Sequence, residues 1–268
     1  MDVLIEFEQV IRPAVFLALL VLLAAAEFFF PLAKRKCTRA YQWGINLGMV
    51  LLDSLILKLI FPLLAVGVAH YAAEQGLGLF NLVALPVAVT LLLSLLMLDL
   101  LIYGQHVLMH NLPLLWRLHR VHHTELGLDV TSAVRFHPIE IVISMVIKMI
   151  FVLLMGIPVA AVIIFEILLN ALALFNHSNI KLPKAVDAIL RKLIVTPEVH
   201  WIHHSEKVRE TNSNYGFNLI IWDKLFSTYI AKPQVDYPKM QQGLRQFGLQ
   251  KPLSLYQLLI LPFRGKDN

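Results

Sequence analysis

Four long apolar stretches decide what this chain can fold into. Residues 13–33, 45–69 and 83–103 each come close to the ~20 residues that a helix needs to cross a hydrocarbon core. A helix satisfies its backbone N–H and C=O groups internally, which is the condition for lying in lipid. The fourth stretch, residues 139–175, would make a helix of about 55 Å at 1.5 Å per residue, too long for one crossing. Gly156 and Pro158 sit near its middle and interrupt both the backbone donors and helical continuity, so the bend of a helical hairpin is expected there. The chain is 58% hydrophobic and 15% charged, whereas soluble domains run near half apolar and about a quarter charged. The expectation is an all-α integral membrane helical bundle, three spans plus a hairpin. It forms one domain over residues 1–268, with a cytoplasmic histidine-rich catalytic cap from residues 104–138 and 176–268.

Lysine and arginine near span ends stay cytoplasmic. Lys34, Arg35, Lys36 and Arg39 follow the first stretch, while residues 70–80 after the second carry neither Lys nor Arg. The third stretch therefore returns to the cytoplasm, and the cap, with Lys181, Lys184, Arg191 and Lys192, lies on that side. The absence of an ER retrieval signal suits a bacterial inner membrane. The N-terminal MDVLIEFEQVIR is acidic, so the first apolar run reads as a retained anchor and not as a signal peptide. A single cysteine, Cys37, excludes internal disulfides and cysteine-built metal sites and reads as an idle thiol. The net charge of +5 comes from residues flanking apolar runs, which points to anionic headgroups and not to nucleic acid.

Eight of the eleven histidines fall in three groups: His106 and His110; His119, His122 and His123; His200, His203 and His204. Residues three and four apart share a helix face, so each group is expected to present its imidazoles one way, as metal ligands. Imidazole suits Fe, Zn, Cu and Ni. Eight nitrogens exceed the about four to six that one metal takes, so two metals are implied. A solvated face would explain one such group but not three on one side of a membrane, whereas the lone His70 reads as a surface group.

Supporting residues recur at helical spacing. Asp99, Tyr103, His106 and His110 form one stripe. Asp99 lies inside an apolar span, where a carboxylate is costly unless paired. It is expected to accept the outer N–H of a ligating histidine, or else to pair with Lys58. Glu166, Asn170 and His177 align on the returning arm of the hairpin, with His177 a ninth ligand candidate. His137 precedes Pro138, which favours a supporting role at a helix start over ligation. Arg135, Trp201 and Trp222 are candidates for the lipid interface, Arg135 otherwise capping a helix or pairing with Glu140. Asn214 and Asp223 are supporting candidates in an aromatic-rich segment whose Phe217, Trp222 and Phe226 read first as core. Residues 253–263 are too few to span and read as lying in the interface or packing on the cap.

The phrases DLLIYGQHVLMH, WRLHRVHHTE, DVTSAVRFHPIE, FNHSNI, VTPEVHWIHHS and NYGFNLIIWDKLFSTYI, along residues 99–230, resemble the fatty acid hydroxylase and sterol desaturase superfamily. The resemblance implies two iron ions held by His106, His110, His119, His122, His123, His200, His203 and His204, with His177 completing the set. It also implies use of O2 to hydroxylate or desaturate a membrane lipid, with electrons from a separate donor and reductase. Gln105 and Val107 stand where many members have Trp and Arg, leaving the ligands intact. No fused haem-binding donor is expected. Two other readings stand beside this one. A hydrolytic zinc enzyme would want an HExxH helix, which is absent. A metal transporter would place ligands at the midplane and on both sides of the bilayer, whereas these clusters all sit at one face; a metal-binding protein without catalysis stays as the other alternative.

Overall fold

The structure, a computed structural model, describes residues 5–244 and 252–264, and among them there is no β-strand, only three isolated bridges. The long helices are α1 (Glu8–Phe29), α2 (Arg39–Ile60), α3 (Ala65–Glu74) and, after the single turn α4 (Leu79–Leu82), α5 (Val87–Asn111). They are followed by α6 (Pro113–His123), α7 (Pro138–Met155) and α8 (Val159–His177). The cap adds the short helices α9 (Lys184–Leu190), α10 (Pro197–His203), α11 (Val208–Thr211), α12 (Ile221–Leu225) and α13 (Leu255–Ile260).

Proline sets many of these boundaries. Pro86, Pro158 and Pro183 are the residues before α5, α8 and α9, and Pro113, Pro138 and Pro197 open α6, α7 and α10. A residue without N–H costs nothing in a first turn, where donors have no intrahelical partner. The same chemistry corrects two expected spans. The second apolar stretch is not one helix over residues 45–69: α2 stops at Ile60, ahead of Pro62, and α3 begins after it. The third begins at Val87 and runs on through both His106 and His110 to Asn111. The first starts earlier than expected, at Glu8, and carries Pro13 within it.

Five helical segments are long and apolar enough to cross a membrane: α1, the stretch Arg39–Leu82, α5, α7 and α8. The apolar window of α8 is 56% buried against 11% for α1, so α8 is the central helix and α1 a peripheral one. Small residues make this possible: Ala65 and Ala69 of α3 and Ala161 of α8 are at most 1% exposed, letting backbones approach as membrane helices do.

The hairpin bends where expected. Gly156 has φ +62° and caps α7, and Pro158 precedes α8. A Cβ on Gly156 would meet Leu77 O and Asn81 Nδ2 at 2.8 Å, and Gly78, φ +91°, would drive one into the Gly156 backbone. The loop after α3 is thus pressed against the hairpin tip. At the opposite end, buried Glu27 of α1 accepts the backbone N–H groups of Val130 and Asn179 at 2.6 and 2.8 Å, tying α1 to the cap. The tail packs on the cap through Leu258 and Leu261, against Met49 and Val121, while Tyr256 and Phe263 face outward.

Candidate metal centre

Four elements converge at the end of the bundle. Helix α5 brings His106 and His110; α6 brings His119, His122 and His123; the last residue of α8 is His177; α10 and its C-cap bring His200, His203 and His204. All nine are buried, and they form two groups whose nitrogens lie within 4.8 Å of one another. One is His106, His110, His119, His123 and His203; the other is His122, His177, His200 and His204.

This division corrects the expectation that each sequence group points one way. Positions four apart stay together, so His119 and His123 join the first group, and His200 and His204 the second. The residue between them, His122 or His203, is turned through a different angle on the helix and serves the other group. Each HxxHH run therefore contributes to both groups, in mirrored proportion.

The hydrogen bonds fix which nitrogen faces inward. Nδ1 of His106 donates to Tyr215 O (2.7 Å), that of His203 to Ser213 O (2.7 Å) and that of His177 to Ala173 O (2.8 Å). Nδ1 of His122 donates to Arg135 O (3.2 Å), that of His119 to the Glu140 carboxylate (2.6 Å) and that of His110 to Asn212 Oδ1 (3.3 Å). A neutral imidazole with its proton on Nδ1 has a bare lone pair on Nε2. Yet His106 Nε2 and His119 Nε2 face each other at 3.1 Å, as do His122 Nε2 and His177 Nε2 at 3.0 Å. Lone pair against lone pair is repulsive unless a cation lies between. Nε2 of His110, His123 and His203 is buried with no hydrogen-bond partner at all.

A proton is a poor candidate for that cation, because burial pushes His122, His123, His200 and His204 well below the usual imidazole range and His203 down to about 3. A metal ion fits. Two nitrogens bound at about 2.1 Å and 90° apart stand about 3.0 Å from each other, and the second group has such separations in series: His122 to His177 and His177 to His200 at 3.0 Å, His200 to His204 at 3.2 Å. The donor set, all imidazole, suits iron, zinc, copper or nickel and not magnesium or calcium. Aromatic rings close the site: Phe136 stacks on His122 at 4.5 Å, Trp116 lies 4.9 Å from His110, and Phe217 lies 5.1 Å from His106.

Several supporting residues act differently from expectation. Asp99 reaches neither a histidine nor Lys58; its Oδ2 accepts Trp222 Nε1 (2.8 Å) and Leu219 N (3.3 Å), fastening the cap segment to α5. Trp222 is thereby committed to Asp99, and Trp201, 2% exposed, donates to Ser178 O in the cap interior. Tyr103 bonds Thr228 and stacks on Phe226. Glu166 is ion-paired with Lys148 and Arg12, away from both groups, and Asn170 donates to the Glu166 carbonyl. Arg135 pairs with no carboxylate at Glu140; it donates to Asn46, Thr124 and Val121. His137 caps α7, its Nδ1 accepting Ile139 N, and its other nitrogen bonds Leu259 O. Neither metal group contains His137 or His70.

Asp223 and Asn214 sit one layer further out. Asp223 accepts the backbone N–H groups of Tyr215 and Gly216, each at 2.8 Å, and so holds the carbonyl that orients His106. Asn214, with φ +51°, bonds Val199 O and both backbone groups of Ile230, beside the Ser213 carbonyl that orients His203. The sequence reading missed Glu140 as a histidine partner. The available signal was an acidic residue in the first turn of a helix that starts beside the histidine runs.

A cavity of about 360 Å³ reaches this centre from between α2, α5, α7 and α8, and His106 and His119 form part of its wall. The remainder of the wall mixes apolar groups such as Ile102, Met109 and Leu169 with polar ones.

Comparison with known proteins agrees with this architecture. The family profile for fatty acid hydroxylases matches residues 91–228, just over half of the chain. The chain belongs to the fatty acid hydroxylase family, within the wider group that includes the sterol desaturases. Among curated proteins it is 32% identical to the ornithine lipid hydroxylase OlsE of Rhizobium tropici over 56% of this chain and 44% of that protein. It is 27% identical to the alkylglycerol monooxygenase of Caenorhabditis elegans over 52% of this chain and 27% of that one. The human alkylglycerol monooxygenase is 22% identical over 60% of this chain and 33% of that protein. The chain thus spans less than half the length of these relatives. No solved structure matches significantly.

Proposed function

We propose that this protein is an O2-dependent di-iron hydroxylase of a membrane lipid, working at the cytoplasmic face of the bilayer. One observation carries the reading: nine buried histidines gather their ring nitrogens into two groups, each within 4.8 Å, and the five-histidine group lines a cavity that enters from among the apolar helices. Relatives whose names describe lipid hydroxylation and monooxygenation favour hydroxylation over desaturation. The Lys/Arg pattern around the first two spans supports a cytoplasmic cap on three spans and a hairpin; a bacterial inner membrane is the proposed location.

In the first group His106, His110, His119, His123 and His203 would hold one iron, and His122, His177, His200 and His204 the other. Bound iron would supply the redox chemistry by which one oxygen atom enters a C–H bond and the other leaves as water, with two electrons and two protons from a separate donor and reductase. The chain's own residues do the rest. The carbonyls of Tyr215, Ser213, Arg135 and Ala173 and the Glu140 carboxylate keep the ligand nitrogens deprotonated and oriented. Phe136, Trp116 and Phe217 exclude water. The cavity fixes which carbon lies beside His106 and His119.

The test is elemental analysis of the detergent-purified chain prepared anaerobically with iron supplied, followed by lipid analysis after O2 and reductant. Two irons per chain and a lipid product heavier by one oxygen are expected. A metal-free protein, or one holding a single zinc, would overturn the reading.

A further inference from the structure

Part of the cap has an outer face made of aliphatic side chains. Helix α9 and the turn after it expose Val186, Ile189 and Leu193 at helical spacing, and α12 exposes Ile221, Leu225 and Phe226. The two pieces are joined, because Ile220 N donates to Leu193 O and Val195 N to Asn218 O, each at 3.0 Å. A contiguous apolar patch of this kind marks a contact with protein or with lipid.

Its position decides between them. Leu219 N and Trp222 Nε1 both donate to Asp99 Oδ2, at 3.3 and 2.8 Å, and Phe226 stacks on Tyr103. The segment therefore runs alongside the middle of α5 and not above its end. Asp99 stands about 18 Å from either end of that helix at 1.5 Å per residue. Wherever along α5 a hydrocarbon core of about 30 Å is placed, Asp99 falls well inside it. Leu193 and Ile221 flank the residues bonded at this level and are carried to the same depth.

The polar groups are arranged for such a place. Irregular backbone at membrane depth is tolerated only where protein buries and satisfies it. Val195, Asn218 and Ile220 are buried beneath the two helical pieces, and the N–H groups of Val195, Leu219 and Ile220 all have protein acceptors. At the end of α9 the carbonyls of Arg191 and Lys192 accept from Lys224 Nζ at 3.2 and 3.3 Å; in water they would be hydrated and need no lysine. The two carboxylates of these pieces, Asp187 and Asp223, are buried, and Arg191 is paired with Asp187 and Glu198. The exposed charges that remain, Lys184, Lys192 and Lys224, have stems that lie along apolar surface and carry their ammonium groups towards headgroups.

We infer that the face formed by α9 and α12 is immersed in the acyl chains of the bilayer beside α5, so that this part of the cap is a membrane-embedded wedge and not a water-facing surface. The inference rests on α5 crossing the bilayer, as the proposed function does. The wedge also carries Asp223, which holds the Tyr215 backbone behind His106, so the metal centre and the lipid contact share one support.

The experiment uses the iron-loaded full chain in nanodiscs. On a Cys37→Ser background, Leu193→Cys, Leu225→Cys, Leu92→Cys and Val208→Cys are each labelled with a fluorophore and quenched by nitroxide-bearing acyl lipid or by aqueous iodide. Leu92 is exposed on α5 and reports on the span itself. Val208 is an equally apolar, exposed cap residue, but its helix α11 leads to Asn212, which bonds His110 about 16 Å beyond Asp99 along α5. Lipid quenching at Leu193→Cys and Leu225→Cys is expected to match Leu92→Cys and to exceed Val208→Cys about five-fold, with the iodide order reversed, as burial in the core against exposure outside it requires. Two positions report on the same face, so one variant that fails to fold leaves the other to decide. Iodide quenching of both, with Leu92→Cys still quenched by lipid, overturns the inference and leaves the span standing. Quenching by neither reagent, as a second copy or a protein partner on this face would give, overturns it too. Iodide quenching at Leu92→Cys would instead remove α5 from the bilayer, and the membrane setting of the proposed function would fall together with the wedge.

Discussion

The two histidine groups are built from the same helices yet differ in surroundings. The five-histidine group opens on the cavity through His106 and His119, and His119 is backed by the Glu140 carboxylate. The four-histidine group contributes no residue to the cavity wall: the wall residue Phe136 stacks on His122 and stands between, and His122 and His177 rest on backbone carbonyls. A carboxylate behind an imidazole raises its basicity more than a neutral carbonyl does. The difference teaches that twofold use of the HxxHH pattern does not make two equal sites: one opens on the cavity, and the other is shielded from it.

The largest effect should come from removing one ligand on each side. His203→Ala should cost the open group its metal and His200→Ala the shielded group, each leaving about one iron of two, with oxidation at background in both. Iron per chain and Mössbauer spectra of the two variants check this; identical residual spectra would erase the distinction between the groups. Next, Glu140→Gln keeps the hydrogen-bond geometry but removes the charge behind His119. Losses of supporting partners cost about 10–100-fold in metal affinity or activity, and titration with a chelator should show one iron loosened and the other unmoved.

Acid should act on both groups together. Burial holds His122, His123, His200 and His204 below the usual range and His203 at about 3. The unfolded chain therefore binds more protons below its imidazole range of about 6.5. Metal-free protein should accordingly lose stability as pH falls from about 6.5 towards 3 and show little dependence above 7, as thermal melts across that range would record. The smallest effect on the centre is expected from Gly156→Ala at the hairpin tip. The positive φ and the contact with Leu77 O should cost about 1–3 kcal/mol of stability, with iron content unchanged; altered iron binding would show that the tip and the centre are coupled.

Much of this was legible in the sequence for reasons that are local. A helical span needs only length and apolarity, and the hairpin bend needed only Gly156 and Pro158, so both could be read without knowing any neighbour. The histidines were visible because ligand spacing on a helix is a sequence property. What each HxxHH run does with its third imidazole was not legible, because it depends on how α5, α6, α8 and α10 are arranged around a common point. Asp99 shows the same limit. Its place on the stripe with His106 was read correctly, but its partners, Leu219 and Trp222, arrive from a segment more than a hundred residues away. Glu166 was aligned with His177 by periodicity, but its partners are Lys148 of α7 and Arg12 of α1, and no local pattern connects α1 to α8.

The facing lone pairs of His106 with His119 and of His122 with His177 have a bearing on the life of the protein in the cell. A bound metal would crosslink four helical elements; without one the same nitrogens repel one another. Metal binding energy is then part of folding energy. On the di-iron reading, a cell short of iron would hold a loosened membrane chain exposed to proteolysis, so the amount of this protein would itself follow the iron supply.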